Sequence, residues 1–179
     1  MEKTVMSTQI PRRGRSGGFR RILCPTDFSA VADAGVDRAA GLAAQEGAEL
    51  VLLHVLAPIT AYVVPDVAGS VLVDLEARAR EDARDELRRL RDRVRRTGVP
   101  THVTLVQGYT PLQIARAAER LRCDLIVLGT HGRTGLTPML LGSVAEAVVR
   151  RAPCPVLTIR PPQLGLPHGQ AEDALKVAA

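Results

Sequence analysis

The residues of this chain that could do chemistry are concentrated in one glycine-rich stretch, residues 129–143. Gly129 and Gly132 follow an apolar run that predicts a buried strand, and Gly142 and Ser143 precede a segment that predicts a helix. Glycines allow backbone to approach a ligand closely, and the N–H groups at a helix start favour an anion, usually phosphate. The stretch therefore predicts a strand, a phosphate-binding loop and a helix.

A second candidate is the acid in Pro25-Thr26-Asp27, which follows another short apolar run. Beside a phosphate-binding loop, Asp27 could accept hydrogen bonds from ribose hydroxyls or hold Mg²⁺. Asp27 could equally be a turn residue or a helix cap, and the residues alone leave these roles evenly weighted.

Three further side chains have both a binding and an ordinary interpretation. His131 could donate to a phosphate, or it could be a loop histidine facing solvent. The guanidinium of Arg133 matches phosphate oxygens, although surface arginines are common. For His54, at the end of the second predicted strand, packing within the sheet is the favoured role.

Several well-known chemistries are excluded by missing patterns. A Walker loop needs lysine after its glycines, and the lysines of this chain are Lys3 and Lys176. No GxGxxG pattern follows the first strand, which argues against dinucleotide binding. No HExxH, GxSxG or Cys/His cluster is present to indicate hydrolysis or a metal centre. Cys24, Cys123 and Cys154 are too few for a disulfide framework, and we expect buried, reduced thiols.

Length and charge indicate one domain with a basic end. The 179 residues are 46% hydrophobic, which suits a single core. Residues 1–21 account for the formal charge of +5, and the rest is balanced, so we expect a flexible basic extension and no nucleic-acid binding. No apolar run has the length of a secretory signal or of a membrane span, about 18 residues, so we expect a soluble, cytoplasmic protein with no membrane partner.

Apolar runs alternate with helical patterns along the body of the chain. Ser29 and Gly47 are predicted to cap the first helix, and Thr110 is predicted to cap the third. The second helix, about residues 71–97, has an apolar stripe formed by Leu75, Ala79, Ala83, Leu87, Leu90 and Val94. The predicted strands are Arg21–Pro25, Leu50–Leu56, His102–Val106, Leu125–Leu128 and Pro155–Ile159. This alternation predicts an α/β fold: one doubly wound, five-stranded, mostly parallel sheet with helices on both faces.

Three segments in order resemble the ATP-binding branch of the universal stress protein family: residues 24–29 (Cys-Pro-Thr-Asp-Phe-Ser), the glycine-rich stretch, and residues 152–156 (Ala-Pro-Cys-Pro-Val). The resemblance covers about residues 20–161. It implies a universal stress protein-like domain over 19–161, between an extension at 1–18 and a tail at 162–179. It also implies strand order 3-2-1-4-5.

The resemblance further implies a ligand and its contacts. The ligand is ATP, with Mg²⁺ on the nucleotide and Asp27 as a metal contact. The implied binding residues are Pro25, Thr26, Asp27, Val55, Gly129, His131, Gly132, Arg133, Gly142, Ser143 and Val144, with Val55 against adenine and the glycine stretch around the phosphates. A homodimer through the last strand, Cys154–Ile159, is also implied.

Three functional hypotheses follow. The first is an ATP-binding stress-response regulator that acts as a nucleotide-dependent homodimer. The second is a slow ATPase or autophosphorylating enzyme, for which no water-activating base stands out. The third is a dimerisation module that binds no nucleotide, in which the glycine stretch would have no purpose.

Overall fold

Strands and helices alternate strictly in the computed structural model, which describes residues 18–58, 69–130 and 142–160, without the side chains of 69–72. Within these ranges the order is β1 (Arg21–Pro25), α1 (Ala30–Glu46), β2 (Glu49–Leu56), α2 (Gly69–Arg95), β3 (Thr101–Gln107), α3 (Thr110–Arg120), β4 (Leu125–Gly129), α4 (Ser143–Val149) and β5 (Val156–Ile159). His131, Gly132 and Arg133 lie outside the described residues.

The five strands form one parallel sheet in the order β3-β2-β1-β4-β5, which confirms the predicted fold and strand order. Leu23 of β1 is paired with Val51 of β2 on one side and with Ile126 of β4 on the other. The chain winds outward from β1 to β3, then returns across the sheet to β4 and β5. The winding direction therefore reverses between β1 and β4, where open α/β sheets bind their ligands.

Alternate strand residues enter two separate cores, one on each face of the sheet. Ile22, Cys24 and Leu52 are fully buried on the face that α1 and α2 cover. Leu23 and Ile126 are fully buried on the face that α3 and α4 cover. Because both faces are covered, the inner strands β1, β2 and β4 carry continuous apolar runs rather than an alternating pattern.

Helix α1 begins and ends at the predicted caps. The Ser29 hydroxyl accepts a hydrogen bond from Ala32 N, and Gly47 adopts the left-handed conformation with φ 69°. Glycine reaches that conformation at little steric cost, so the helix ends there. The sequence prediction is confirmed at both ends of this helix.

The apolar stripe of α2 is buried only in its C-terminal half. Ala83, Leu87, Leu90 and Val94 are buried, whereas Leu75 is 51% exposed. A helix of 27 residues is about 40 Å long, and a strand of eight residues is about 26 Å long. The helix is longer than the strand it follows, and the N-terminal end of its stripe lies outside the core.

The start of α3 also differs from the prediction. Tyr109 is the N-cap residue, its side chain makes no capping hydrogen bond, and Thr110 is already helical. Proline fits at the next position because an N–H group in the first turn of a helix has no partner within the helix, so its absence costs no hydrogen bond. Among the helices of the described ranges, none has the length and apolar content to cross a membrane.

Candidate functional site

The candidate site lies at the carboxyl edge of the sheet, where β1 and β4 end side by side. Leu23 pairs with Ile126, so the segments after Pro25 and Gly129 leave the sheet from adjacent strands. The chain reverses its winding at this same point. The structure therefore places the two predicted binding segments next to each other at the switch point.

Side-chain hydrogen bonds hold the turn between β1 and α1. Ser29 donates to Asp27 Oδ1 twice, from its backbone N at 3.1 Å and from its hydroxyl at 2.6 Å. Phe28 N donates to Thr26 Oγ1 at 3.0 Å. The carboxylate of Asp27 thus organises the turn, as one of its two predicted roles required, and the same turn fixes it at the carboxyl edge of the sheet.

A ring stack supports the same turn from β2. Phe28 has φ 62°, a conformation that costs a non-glycine residue about 1–3 kcal/mol. Its ring stacks on His54 with 4.4 Å between the ring centroids. His54 Nδ1 lies 2.7 Å from Thr26 O, and since a carbonyl only accepts, Nδ1 carries the proton. His54 is therefore a structural support of this turn, a role more specific than the packing that the sequence predicted.

The end of β4 and the start of α4 are joined by a backbone hydrogen bond. Gly142 N donates to Thr130 O at 2.8 Å, and Thr130 N donates to Ile159 O at 2.9 Å. The end of β4 and the start of α4 therefore lie side by side. Thr130 is itself 3% exposed, although the sequence analysis did not select it.

Helix α4 presents its first N–H groups beside the end of β4. Gly142 is its N-cap residue and Ser143 its first helical residue. The first helical hydrogen bond runs from Glu146 N to Gly142 O, so the N–H groups of Ser143 and Val144 precede the hydrogen-bonded ladder of the helix. Ser143 is exposed and Val144 is 40% exposed, which leaves both open to a ligand.

Close packing against α1 requires glycine at position 129, which the sequence did not reveal. A Cβ on Gly129 would lie 3.0 Å from Val31 Cγ1 and 3.2 Å from Val31 O. A Cβ on Gly35 would in turn lie 3.4 Å from Gly129 N. The bare Cα of Gly129 thus faces α1 and allows that helix to pack closely on the end of β4.

Val55 lies at the same edge of the sheet, near the end of β2. Pro25, the last residue of β1, pairs with Leu53, so Val55 is two residues further along its strand than the end of β1. Val55 pairs with Val106 of β3 and packs against the core on the α3 side. Its partly exposed side chain gives this end of the site an apolar wall.

The described residues contain no group of three or more His, Cys, Asp or Glu side chains that could hold a metal ion. Mg²⁺ commonly binds through one or two carboxylates together with substrate phosphates. Asp27 fits that arrangement as a single protein carboxylate.

Comparisons with known proteins agree on one family. The model of the "Universal stress protein family" matches residues 18–160. A universal stress protein of Methanocaldococcus jannaschii is 33% identical over 145 residues, 81% of this chain and 84% of that protein.

Solved structures give the same result. The universal stress protein UspA from Lactobacillus plantarum superposes with a TM-score of 0.71 at 30% identity, over 80% of this chain and 99% of that one. A universal stress protein solved in complex with cAMP has a TM-score of 0.61 at 24% identity, over 80% of this chain and 98% of that one. At that identity the second likeness shows the fold alone.

Proposed function

Because this chain belongs to the universal stress protein family, we propose that it binds ATP where β1 and β4 end and acts as a nucleotide-dependent homodimeric regulator. The observation that carries the proposal is the hydrogen bond from Gly142 N to Thr130 O. It brings the start of α4 to the end of β4, beside the turn that holds Asp27. An acid and a group of N–H donors then face a nucleotide from two sides.

The proposed contacts divide by chemistry. Asp27 accepts from the ribose hydroxyls, with Pro25 and Thr26 forming the turn beneath it, and Val55 packs against adenine. The phosphates are bound by backbone N–H groups and by side chains from the glycine-rich stretch, namely Gly129, His131, Gly132, Arg133, Gly142, Ser143 and Val144. Mg²⁺ would bind with the phosphates, and Asp27 is its candidate protein ligand.

An adenine nucleotide is the ligand class to test first. One solved protein with this fold is in complex with cAMP, which contains adenine, ribose and phosphate. The apolar Val55, the acidic Asp27 and the N–H groups of α4 would meet those three parts in that order. The triphosphate is proposed because the glycine-rich stretch, residues 129–143, resembles that of the ATP-binding branch of the family.

Thermal unfolding of the full chain with and without Mg²⁺ and ATP tests the proposal. Ligand at a hundred times its Kd should stabilise the fold by about 2.7 kcal/mol, which raises Tm by about 5–10 °C for a chain of this size. GTP at the same concentration has the same ribose and triphosphate, so it controls for binding that does not involve adenine. An unchanged Tm at millimolar ATP would refute nucleotide binding, and an equal shift with GTP would refute the adenine contact.

A further inference from the structure

We propose that Cys123 and Cys154 form a reversible disulfide that joins the start of β4 to the start of β5. The inference does not depend on nucleotide binding. It concerns the amino edge of the sheet, the opposite end from the proposed ATP site.

The register of the two strands brings these cysteines together. Ile126 pairs with Val156, and Ile126 N donates to Pro155 O at 3.0 Å. Cys123 lies two residues before the start of β4 and Cys154 two residues before the start of β5, so both lie where two neighbouring strands begin. Neighbouring strands are about 4.8 Å apart, and disulfides bridge Cα atoms that are about 4.4–6.8 Å apart.

Both side chains also belong to the same face of the sheet. Cys123 is 7% exposed within the core on the α3 and α4 side, and Cys154 packs against that same core. Cys24, the third cysteine of the chain, is buried in the core on the opposite face. The sheet therefore separates Cys24 from the other two thiols and leaves one intramolecular pair.

The two thiols differ in their exposure to solvent, and this difference sets the order in which they react. Cys154 is partly exposed and meets an oxidant first, whereas Cys123 is buried. Burial and, less strongly, a negative charge on Cys154 together raise the pKa of Cys123 to about 11. Burial also raises the pKa of Cys154, so little thiolate is present at neutral pH and the reaction is slow.

The proposed oxidant is a peroxide, which accepts the two electrons that the thiols lose. The sulfur of Cys154 attacks one peroxide oxygen, which gives a sulfenic acid and one water. The sulfur of Cys123 then attacks the sulfenic sulfur, so the S–S bond forms, the S–O bond breaks and a second water leaves. Two thiols have lost two electrons and two protons, and a small dithiol reverses the change by exchange.

The ring that this bond closes contains the proposed phosphate-binding segment. Residues 123–154 include β4, residues 131–141 and α4, and β5 follows immediately. A cross-link over a loop of this length limits the unfolded chain and should raise Tm by up to about 10 °C. Oxidation at the amino edge of the sheet would therefore stabilise residues 123–154, although the proposed nucleotide site is at the opposite edge.

Mass spectrometry of the full chain treated with diamide tests the inference. The azo bond of diamide takes up the two electrons and two protons, so the native protein should lose two hydrogens in mass. A peptide map without reductant should then join the peptides that contain Cys123 and Cys154. Cys24→Ala should behave as the native protein, whereas Cys123→Ala and Cys154→Ala should show no loss of hydrogen and no rise in Tm.

Any of three results would overturn the inference. These are a native cross-link that includes Cys24, a disulfide-linked dimer through Cys154, and full alkylation of all three thiols after diamide, which would show that no disulfide had formed. Oxidation in concentrated guanidinium chloride is the control for selectivity, because the unfolded chain should also yield cross-links to Cys24. A native protein that gives the same mixture as the unfolded chain would also count against the pair.

Discussion

The carboxylate of Asp27 is held by Ser29, whose backbone N–H and hydroxyl both donate to its Oδ1. An amide side chain also presents one oxygen that can accept both bonds, but it carries no charge. The structural role of this residue and its proposed role in binding can therefore be separated by choosing the substitution. Asn keeps the turn and Ala removes it.

We predict that Asp27→Asn keeps the stability of the fold but binds ATP about tenfold or more weakly, because hydrogen bonds from ribose to a charged acceptor are worth about 1.5–3 kcal/mol. Asp27→Ala should lose both affinity and stability. Calorimetric titration with Mg²⁺ and ATP gives the affinity, and urea unfolding gives the stability.

Asp124→Asn is the matched control for that prediction. Asp124 accepts from Arg20 N at 2.8 Å and from Arg21 N at 3.0 Å at the amino edge of the sheet. Its substitution should lower stability and leave ATP affinity unchanged. If Asp27→Asn bound ATP as tightly as the native protein, Asp27 would be a turn residue only.

At the scale of elements, the packing of α1 on β4 depends on two glycines without side chains. Gly129 faces Val31, and Gly35 faces Gly129. The contact of a Gly129 Cβ with Val31 O would be with backbone, which no rotamer change can relieve. A methyl group at this position must therefore displace the helix or the end of the strand.

Gly129→Ala should accordingly lower the free energy of unfolding by about 1–3 kcal/mol. Gly41→Ala, on the exposed side of the same helix, would place its Cβ with nothing within 4 Å, and it should raise stability by about 0.5–1 kcal/mol through helix propensity. Urea unfolding with an unchanged m value measures both. Equal stability of Gly129→Ala and the native protein would show that α1 and β4 do not pack as tightly as the structure places them.

The elements were predictable wherever the signal is local. Ser29 and Gly47 cap α1 by their own chemistry, and each buried strand is a continuous apolar run. The exposure of Leu75 could not be predicted, because the stripe of α2 does not reveal where the sheet ends. The stack of Phe28 on His54 joins a residue of the turn after β1 to a residue of β2, and its only local sign is an aromatic residue following Asp27.

The candidate site was predictable to a similar degree. The glycine stretch and Asp27 were selected by residue type, and the switch point explains why they are neighbours. The packing role of Gly129 was missed because a glycine in a loop-forming pattern gives no indication of which neighbour approaches its Cα. Thr130 was missed because a lone threonine after a strand has no distinguishing pattern.

At the scale of the whole molecule, the two edges of the sheet differ. Arg95 Nε of α2 donates to Thr101 O at the start of β3, and Arg80 donates to Gln107 Oε1 at its end. Side chains of α2 thus contact β3 at both ends. At the other edge, Leu157 of β5 is 42% exposed. An edge strand with apolar exposure favours pairing with another strand, which supports β5 as the proposed dimer interface.

The register of β5 shows which of its backbone groups a partner would meet. Ile126 N donates to Pro155 O, and Thr130 N donates to Ile159 O. Successive residues of a parallel strand alternate in the direction of their hydrogen bonds, so residues 155, 157 and 159 face β4. Thr158 therefore directs its N–H and C=O to the outer edge.

We predict that Thr158→Pro dissociates the proposed homodimer and leaves the monomer folded. Proline removes an outward N–H without removing a bond to β4, and proline is tolerated in edge strands for that reason. A twofold interface contains the substitution twice, so two lost hydrogen bonds should raise the dimer Kd by about a hundredfold. Thr158→Val keeps the N–H and the branched side chain, and it should remain dimeric. Sedimentation equilibrium measures the Kd, and circular dichroism checks the fold. A Thr158→Pro protein as dimeric as its valine control would place the interface elsewhere.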